Sequence, residues 1–209
     1  MKYYNIHTHH TSHSPDEIVI INHIIREREE VSSDFQSIGI HPWYISNVRE
    51  QMKILRTKAY QPTIVAIGEA GFDKFAQTSP ELQKEAFIAQ ACLAEEVNKP
   101  LIIHCVKAWS ELIAEKKEIK PKSAWIIHGF RGNGELADQL IKQGFYLSFG
   151  EYYNPEALKK AWPERLYTET DDKEIDIRKI YQQICTSLQI PPDEFASQIR
   201  KNVHNIFSI

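Results

Sequence analysis

The sequence predicts an α/β protein, a (β/α)8 TIM barrel that is trimmed in its first βα units. From about residue 46 onward, short apolar runs alternate with segments of helical periodicity, which is typical of βα units around a parallel sheet. The length of 209 residues suits one domain, which we expect to span 1–209. Chemically useful side chains follow the apolar runs, at the strand ends where such barrels hold their active sites.

The elements follow in chain order. Three early strands are expected to end at His7, near Ile25 and at Ile40, which leaves almost no room for full helices between them. Ser79 and Pro80 suit the cap and the first turn of a long helix. The later strands are predicted over 63–67, 101–103, 124–127, 145–149 and 165–168, and the helices over about 46–59, 80–97, 109–117, 134–143, 155–161, 174–188 and 192–204.

Composition excludes several classes of protein. Hydrophobic residues make up 42% and charged residues 25%, close to the globular average, and the net charge is -3, which argues against a broad basic surface. No apolar run is long enough to span a membrane, and the first residues lack the basic region and apolar core of a secretory signal, so none is expected. Cys92, Cys105 and Cys185 are odd in number and widely spaced, which favours reduced thiols and a cytoplasmic location.

Histidine and acidic residues gather at the ends of the predicted strands. His7 and His9 are two residues apart on one strand, so their side chains share a face and suit a divalent transition metal. A single histidine after an apolar run is more often a core or rim residue, but the joint pattern predicts a metal centre. The other side chains in such positions are His41, Glu69, His104, His128 and Asp171.

These motifs resemble one family, the TatD-like metal-dependent hydrolases and deoxyribonucleases of the amidohydrolase-like barrels. The resemblance implies a phosphodiesterase that uses water activated by two divalent metal ions, with zinc, manganese and magnesium all open. It implies that His7, His9 and Asp171 hold one ion, that His104 and His128 hold the other, that Glu69 bridges both, and that Asp171 also orients or deprotonates the water. The matching blocks are residues 7–9, 39–42, 68–73, 100–104, 128–132, 146–149 and 169–171.

The expected substrate is DNA or another phosphodiester, with no membrane contact and no obligate protein partner. His41 resembles a family residue that lies near the substrate, and Lys107 and Arg131 are predicted to hold phosphates. They belong to a predicted ring of basic residues around the site, Lys74, Lys107, Arg131 and Lys173. Trp43 is one candidate for base stacking, although a core or helix-packing role is the favoured interpretation for it. Trp109 and Phe130 are candidates of the same kind, again with packing roles favoured.

Three positions depart from the family pattern. Asn5 replaces an aspartate, Lys107 replaces an arginine and Lys173 replaces a proline, and the early loops are short. Two alternatives therefore stay open. The alternatives to the phosphodiesterase are a small-molecule hydrolase of the same barrel type, acting on an amide, lactone or phosphoester, and a catalytically degenerate scaffold that retains metal structurally.

Overall fold

A computed structural model describes residues 1–12, 14–25 and 35–209, which include every predicted site residue. Eight strands form one sheet, and their hydrogen-bonding order is their order in the chain. The pairs with defined register are parallel. This is the topology of a (β/α)8 barrel, as predicted. The strands are β1 (Tyr3–Thr8), β2 (Glu17–Ile24), β3 (Phe35–Gly39), β4 (Ile64–Asp73), β5 (Leu101–Val106), β6 (Trp125–Ile127), β7 (Tyr146–Phe149) and β8 (Leu166–Thr168).

The helices lie close to their predicted bounds. Ser79 caps the second helix as expected, because its side chain accepts a hydrogen bond from the Leu82 amide. A short 3-10 helix (Pro42–Tyr44) was not predicted. The α-helices are α1 (Val48–Ala59), α2 (Pro80–Glu96), α3 (Trp109–Ile119), α4 (Gly134–Lys142), α5 (Pro155–Ala161), α6 (Ile177–Leu188) and α7 (Pro192–Ile206).

Two strands run further than the sequence predicts. β4 continues to Asp73 with all ten residues buried, and β5 continues to Val106. Glu69 and His104 therefore lie inside strands and do not follow them. The β4–β5 register shifts between Ile67 and Ala70, so Glu69 sits at an irregularity of the ladder. Bulges of this kind re-aim side chains next to functional sites.

The chain divides into two compact units. Unit 1 comprises residues 1–21 and 126–209, and unit 2 comprises residues 22–125. In unit 1 the first and last strands are neighbours, since Thr8 and Asp171 form a β-bridge and Thr168 Oγ1 donates to the Tyr4 carbonyl at 2.7 Å. In unit 2 the core includes Phe87, whose ring contacts Trp125 edge-on at 5.2 Å. A single domain over 1–209 stays a prediction.

The first βα unit is trimmed as expected. Residues 9–12 and 14–16, between β1 and β2, contain no helix. The corresponding stretch between β2 and β3 lies mostly outside the described residues. Within the described ranges, no helix is both long and apolar enough to cross a membrane. The cytoplasmic location stays a prediction.

Candidate metal centre

In unit 1, three side chains from separate strand ends form a donor group. His7 lies inside β1 and is completely buried, His128 directly follows β6, and Asp171 follows β8. Each offers one ligand atom within 4.8 Å of the others. The His7 and His128 rings lie 4.2 Å apart, and His7 Nε2 is 3.5 Å from Asp171 Oδ1. We call these three residues the unit 1 donors.

His9 is placed beside the unit 1 donors by its backbone. Its amide donates to the Asp171 carbonyl at 3.0 Å, and its Nε2 lies 3.7 Å from Asp171 Oδ1. The Asp171 amide donates in turn to the His7 carbonyl at 3.0 Å. Asp171 has a φ of 54°, the left-handed region that non-glycine residues seldom adopt. Such conformations persist where the surroundings over-determine them, as these two backbone bonds do here.

A buried carboxylate, that of Glu169, lies next to the His128 ring. Glu169 is fully buried, its Oε1 accepts from the Gly129 amide at 2.6 Å, and the same oxygen lies 3.5 Å from His128 Nδ1. Its other oxygen, Oε2, has no hydrogen-bond partner within the described part of the chain. At 3.5 Å this contact is longer than a hydrogen bond, and it leaves Nε2 as the nitrogen on the opposite side of the His128 ring.

A buried polar network joins β1 to the segment that carries Asp171. The Asn5 amide nitrogen donates to Glu17 Oε1 and to Thr170 Oγ1, both at 2.9 Å. Its oxygen accepts from the Thr170 amide at 3.2 Å. Asn5 stands where the family pattern has an aspartate, so in this chain the buried carboxylate comes from Glu17 on β2. Because Asn5 lies two residues before His7 on β1 and bonds Thr170, the neighbour of Asp171, it ties the two segments together.

In unit 2, Glu69 is the centre of a second donor group. His104 Nδ1 lies 2.8 Å from Glu69 Oε1, and His41 Nε2 lies 3.3 Å from the same oxygen. Asn22 holds the other side, because its side-chain nitrogen donates to Glu69 Oε2 and its oxygen accepts from the Glu69 amide, both at 3.0 Å. His41, Glu69 and His104 each offer a ligand atom within 4.8 Å of the others. We call these three residues the unit 2 donors.

Glycine lets the backbone approach closely around Glu69. Gly68 has a φ of 124°, and a Cβ there would lie 2.3 Å from the Ile102 carbonyl oxygen. No side chain fits that gap, so the strand that carries Glu69 packs on β5 at a distance that only glycine permits.

Asp73 links His104 to two aromatic residues. Its Oδ2 lies 3.0 Å from His104 Nε2 and accepts from Trp43 Nε1 at 2.7 Å, and its Oδ1 accepts from the Phe75 amide at 2.8 Å. Burial alone would raise the pKa of Asp73, but the hydrogen bonds from His104, Phe75 and Trp43 outweigh it, so the pKa is lowered. The carboxylate is therefore ionised at neutral pH.

The contacts of His41 define its tautomer and direct one ring nitrogen at Glu69. Its Nδ1 accepts a hydrogen bond from the Trp43 amide at 3.1 Å, where it caps the 3-10 helix. The neutral ring consequently carries its proton on Nε2, the nitrogen that faces Glu69. The structure brings His41 to a metal-capable carboxylate, and its predicted position near the substrate stays a prediction.

The predicted substrate residues have different surroundings. Arg131 and Lys173 line one recess together with Asp171, and Lys173 Nζ lies 3.2 Å from Asp172. Lys107 is exposed, whereas Lys74 is engaged by Glu111 at 2.8 Å. The basic ring of the sequence analysis is thus partly neutralised. Trp43 is 55% exposed, which contradicts the core role favoured for it, and the helix-packing alternative stays a prediction. Phe130 is buried, and Trp109, the first residue of α3, is half-buried.

Three supporting residues escaped the sequence analysis. Glu169 lies in the block around residues 169–171 that carries the resemblance, so its position there was the available signal. Nothing in the sequence around Asn22 and Glu17 indicates a role at the site, because the sequence of β2 predicts an ordinary apolar strand. Only the pairing of strands shows that their side chains meet Glu69 and Asn5.

The fold and the two donor groups define a class of protein, the metal-dependent hydrolases built on a (β/α)8 barrel. Histidine and carboxylate donors fit a divalent transition metal, and the buried Glu169 Oε2 is an oxygen that a nearby cation would satisfy. The chain belongs to the family described as TatD related DNase, which matches residues 11–208.

Individual relatives agree with this membership. The metal-dependent hydrolase YabD of Bacillus subtilis is 31% identical over 204 residues, covering 87% of this chain and 80% of the relative. The 3'-5' ssDNA/RNA exonuclease TatD of Erwinia tasmaniensis is 32% identical over 148 residues, covering 66% of this chain and 57% of the relative. A TatD homologue from Escherichia coli shares the fold, with a TM-score of 0.78, 20% identity, and coverage of 91% and 86% of the two chains.

Proposed function

We propose that this metal-dependent hydrolase cleaves phosphodiester bonds and acts at the ends of single-stranded nucleic acid. The observation that carries the proposal is the pairing of imidazoles with a carboxylate in each unit: His7 and His128 with Asp171, and His104 with Glu69. The relatives named as ssDNA/RNA exonucleases support the choice of substrate. DNA or another phosphodiester is the proposed partner.

The proposed cofactor is two divalent ions, drawn from zinc, manganese or magnesium. The proposed ligands are His7, His9, Glu69, His104, His128 and Asp171, which is the set that the resemblance implies. A bound divalent ion supplies Lewis acidity, which lowers the pKa of water and stabilises charge on the attacking and leaving oxygens. The assignment of each ligand to one ion stays part of the proposal.

The protein's own residues carry the remaining steps. Asp171 orients the attacking water and accepts its proton, because its carboxylate is partly exposed while the backbone around it is held on both sides. His41 donates from Nε2 to Glu69 and keeps that carboxylate in position. Arg131, in the recess that contains Asp171, holds a phosphate of the substrate. Lys107 adds a point charge without a bidentate fork.

The test begins with metal stoichiometry. If two ions bind as proposed, elemental analysis of the wild type after reconstitution with zinc, manganese or magnesium should give about two ions per chain. Glu69→Ala and Asp171→Asn should each lower that number, while the matched variant Asp172→Asn should not, because the Asp172 side chain is exposed and next to the ligand. Circular dichroism would confirm that each variant is folded.

Substrate assays separate the alternatives. Release of mononucleotides from oligonucleotide ends by the loaded wild type would support the proposal. Hydrolysis of small amides, lactones or phosphoesters with no action on oligonucleotides would favour the small-molecule hydrolase. Bound metal with no hydrolysis of any ester would favour the scaffold. A wild type that holds no ion under any condition would overturn the proposal.

A further inference from the structure

Two aromatic side chains beside the unit 2 donors are exposed and held in place at the same time. The Trp43 side chain is 55% exposed and the Phe75 side chain is 65% exposed. Both residues are tied to Asp73, Trp43 through its indole nitrogen and Phe75 through its backbone amide. The buried Asp73 carboxylate thus holds the Trp43 indole directly, and holds Phe75 through its backbone.

A cation completes this surface. Lys107 Nζ lies 4.7 Å from the centroid of the Phe75 ring, a cation–π distance. No ion pair to Lys107 is found within the described residues, whereas Lys74 is occupied by Glu111. Trp43, Phe75 and Lys107 are defined here as the aromatic edge. The same Asp73 carboxylate contacts His104, so the aromatic edge borders a proposed metal ligand.

The chemistry of the aromatic edge matches one kind of ligand. Nucleobases stack on exposed aromatic rings, and a nearby ammonium group binds the phosphate that links one nucleoside to the next. Rings anchored before binding lose little conformational freedom when a base stacks on them. Bases in a duplex have their faces covered, so only unpaired bases can use these rings.

We propose that the aromatic edge binds unpaired nucleobases of a single-stranded DNA or RNA substrate, by stacking on Trp43 and Phe75 while Lys107 holds an adjacent phosphate. The inference rests on the proposed function, since it assumes that a nucleic acid is the substrate. It adds the side chains that select single strands over duplexes.

The first measurement is binding, so that it does not depend on turnover. The probe is a short fluorescein-labelled oligothymidylate with phosphorothioate linkages, titrated with metal-loaded full-length protein and followed by anisotropy. Phe75→Leu keeps an apolar side chain but removes the ring, and should weaken binding about tenfold, the loss of one stacked base. Phe75→Tyr keeps the ring and should bind like the wild type.

Further variants resolve the remaining contributions. Trp43→Ala should weaken binding by about tenfold or more. Tyr60→Ala is the matched control, because Tyr60 is 62% exposed but lies at the C-terminal cap of α1, bonded to Glu96. It should leave affinity unchanged. Phe75→Leu should weaken oligouridylate and oligothymidylate alike, since stacking uses the base face and not the sugar.

Metal content distinguishes stacking from a structural role. Phe75→Leu should hold as many metal ions per chain as the wild type, measured by elemental analysis, because the Phe75 ring is not among the proposed ligands. A loss of bound metal in Phe75→Leu would overturn the inference, as would equal weakening of duplex and single-strand binding. Wild-type binding with no hydrolysis would reject the proposed function and leave the aromatic edge supported.

Discussion

The two donor groups are built differently. In unit 1, the imidazoles of His7 and His9 lie 3.5 and 3.7 Å from the Asp171 carboxylate, longer than a hydrogen bond. In unit 2, His104 contacts Glu69 at 2.8 Å and Asp73 at 3.0 Å. An ion placed between these side chains therefore replaces no hydrogen bond from His7 or His9 to the Asp171 carboxylate. For His104 to bind an ion, one of its two short contacts has to be given up.

The two donor groups are also positioned by different kinds of contact. The unit 1 donors are positioned by the backbone, through the Thr8–Asp171 bridge and the bonds between His7, His9 and Asp171. The unit 2 donors are positioned by side chains, with Asn22, His41 and Asp73 around Glu69 and His104. Variants of the supporting residues should consequently act on the two groups unequally.

The largest effect is expected from Asp171 itself. Asp171→Asn removes the proposed proton acceptor and a ligand charge, and should lower kcat/KM for phosphodiesters by about 10³-fold, equivalent to about 4 kcal/mol. Steady-state kinetics on the loaded protein would measure it. Asp172→Asn is the matched control and should lose less than about twofold. Similar losses in both variants would show that local charge, and not the donor, is responsible.

The glycines next to the donors offer the second test. Gly68→Ala should destabilise the protein by about 3 kcal/mol, because the new Cβ would press on the Ile102 carbonyl and the residue has positive φ. Gly129→Ala, next to His128, should cost only about 1 kcal/mol, since it has positive φ but a first contact at 3.6 Å. Urea unfolding compares the two. Equal costs would contradict the closer packing inferred around Glu69.

The Asn5–Glu17 pair predicts an effect that runs against the family pattern. Asn5→Asp restores the family residue, yet it places a second buried carboxylate 2.9 Å from Glu17 and should destabilise the protein by about 2 kcal/mol. Adding Glu17→Gln should recover most of that loss, because one buried charge then remains. Thermal unfolding of the four proteins in the cycle gives the coupling. Additive effects would show that the two side chains do not share a charge site.

The smallest effect concerns the carboxylates behind the histidines. Asp73→Asn should weaken zinc binding by about tenfold, because it removes the charged partner of His104. Glu169→Gln should have the smaller effect, since Glu169 lies 3.5 Å from His128 where Asp73 lies 3.0 Å from His104. Titration with a zinc-competing dye measures both. A larger loss of zinc affinity in Glu169→Gln than in Asp73→Asn would contradict this ranking of the two carboxylates.

Much of the fold was predictable from local pattern. The alternation of apolar runs and helical periodicity located the strands and helices, and the capping of α2 by Ser79 depends only on residues close in sequence. The ends of β4 and β5 were not predictable, because they depend on the close approach that Gly68 allows between neighbouring strands. The 3-10 helix after His41 was missed because its cap is a histidine, an uncommon capping residue.

The sequence by itself determined the strand-and-helix order and which histidines and acids are candidate donors, because periodicity and motif spacing are local properties. Only the tertiary structure decided which donors meet. It grouped His128 with His7 and Asp171, and His41 with Glu69 and His104. It also revealed the support from Glu17, Asn22 and Asp73. Contacts between strands far apart in the chain depend on register and burial, which no local pattern specifies.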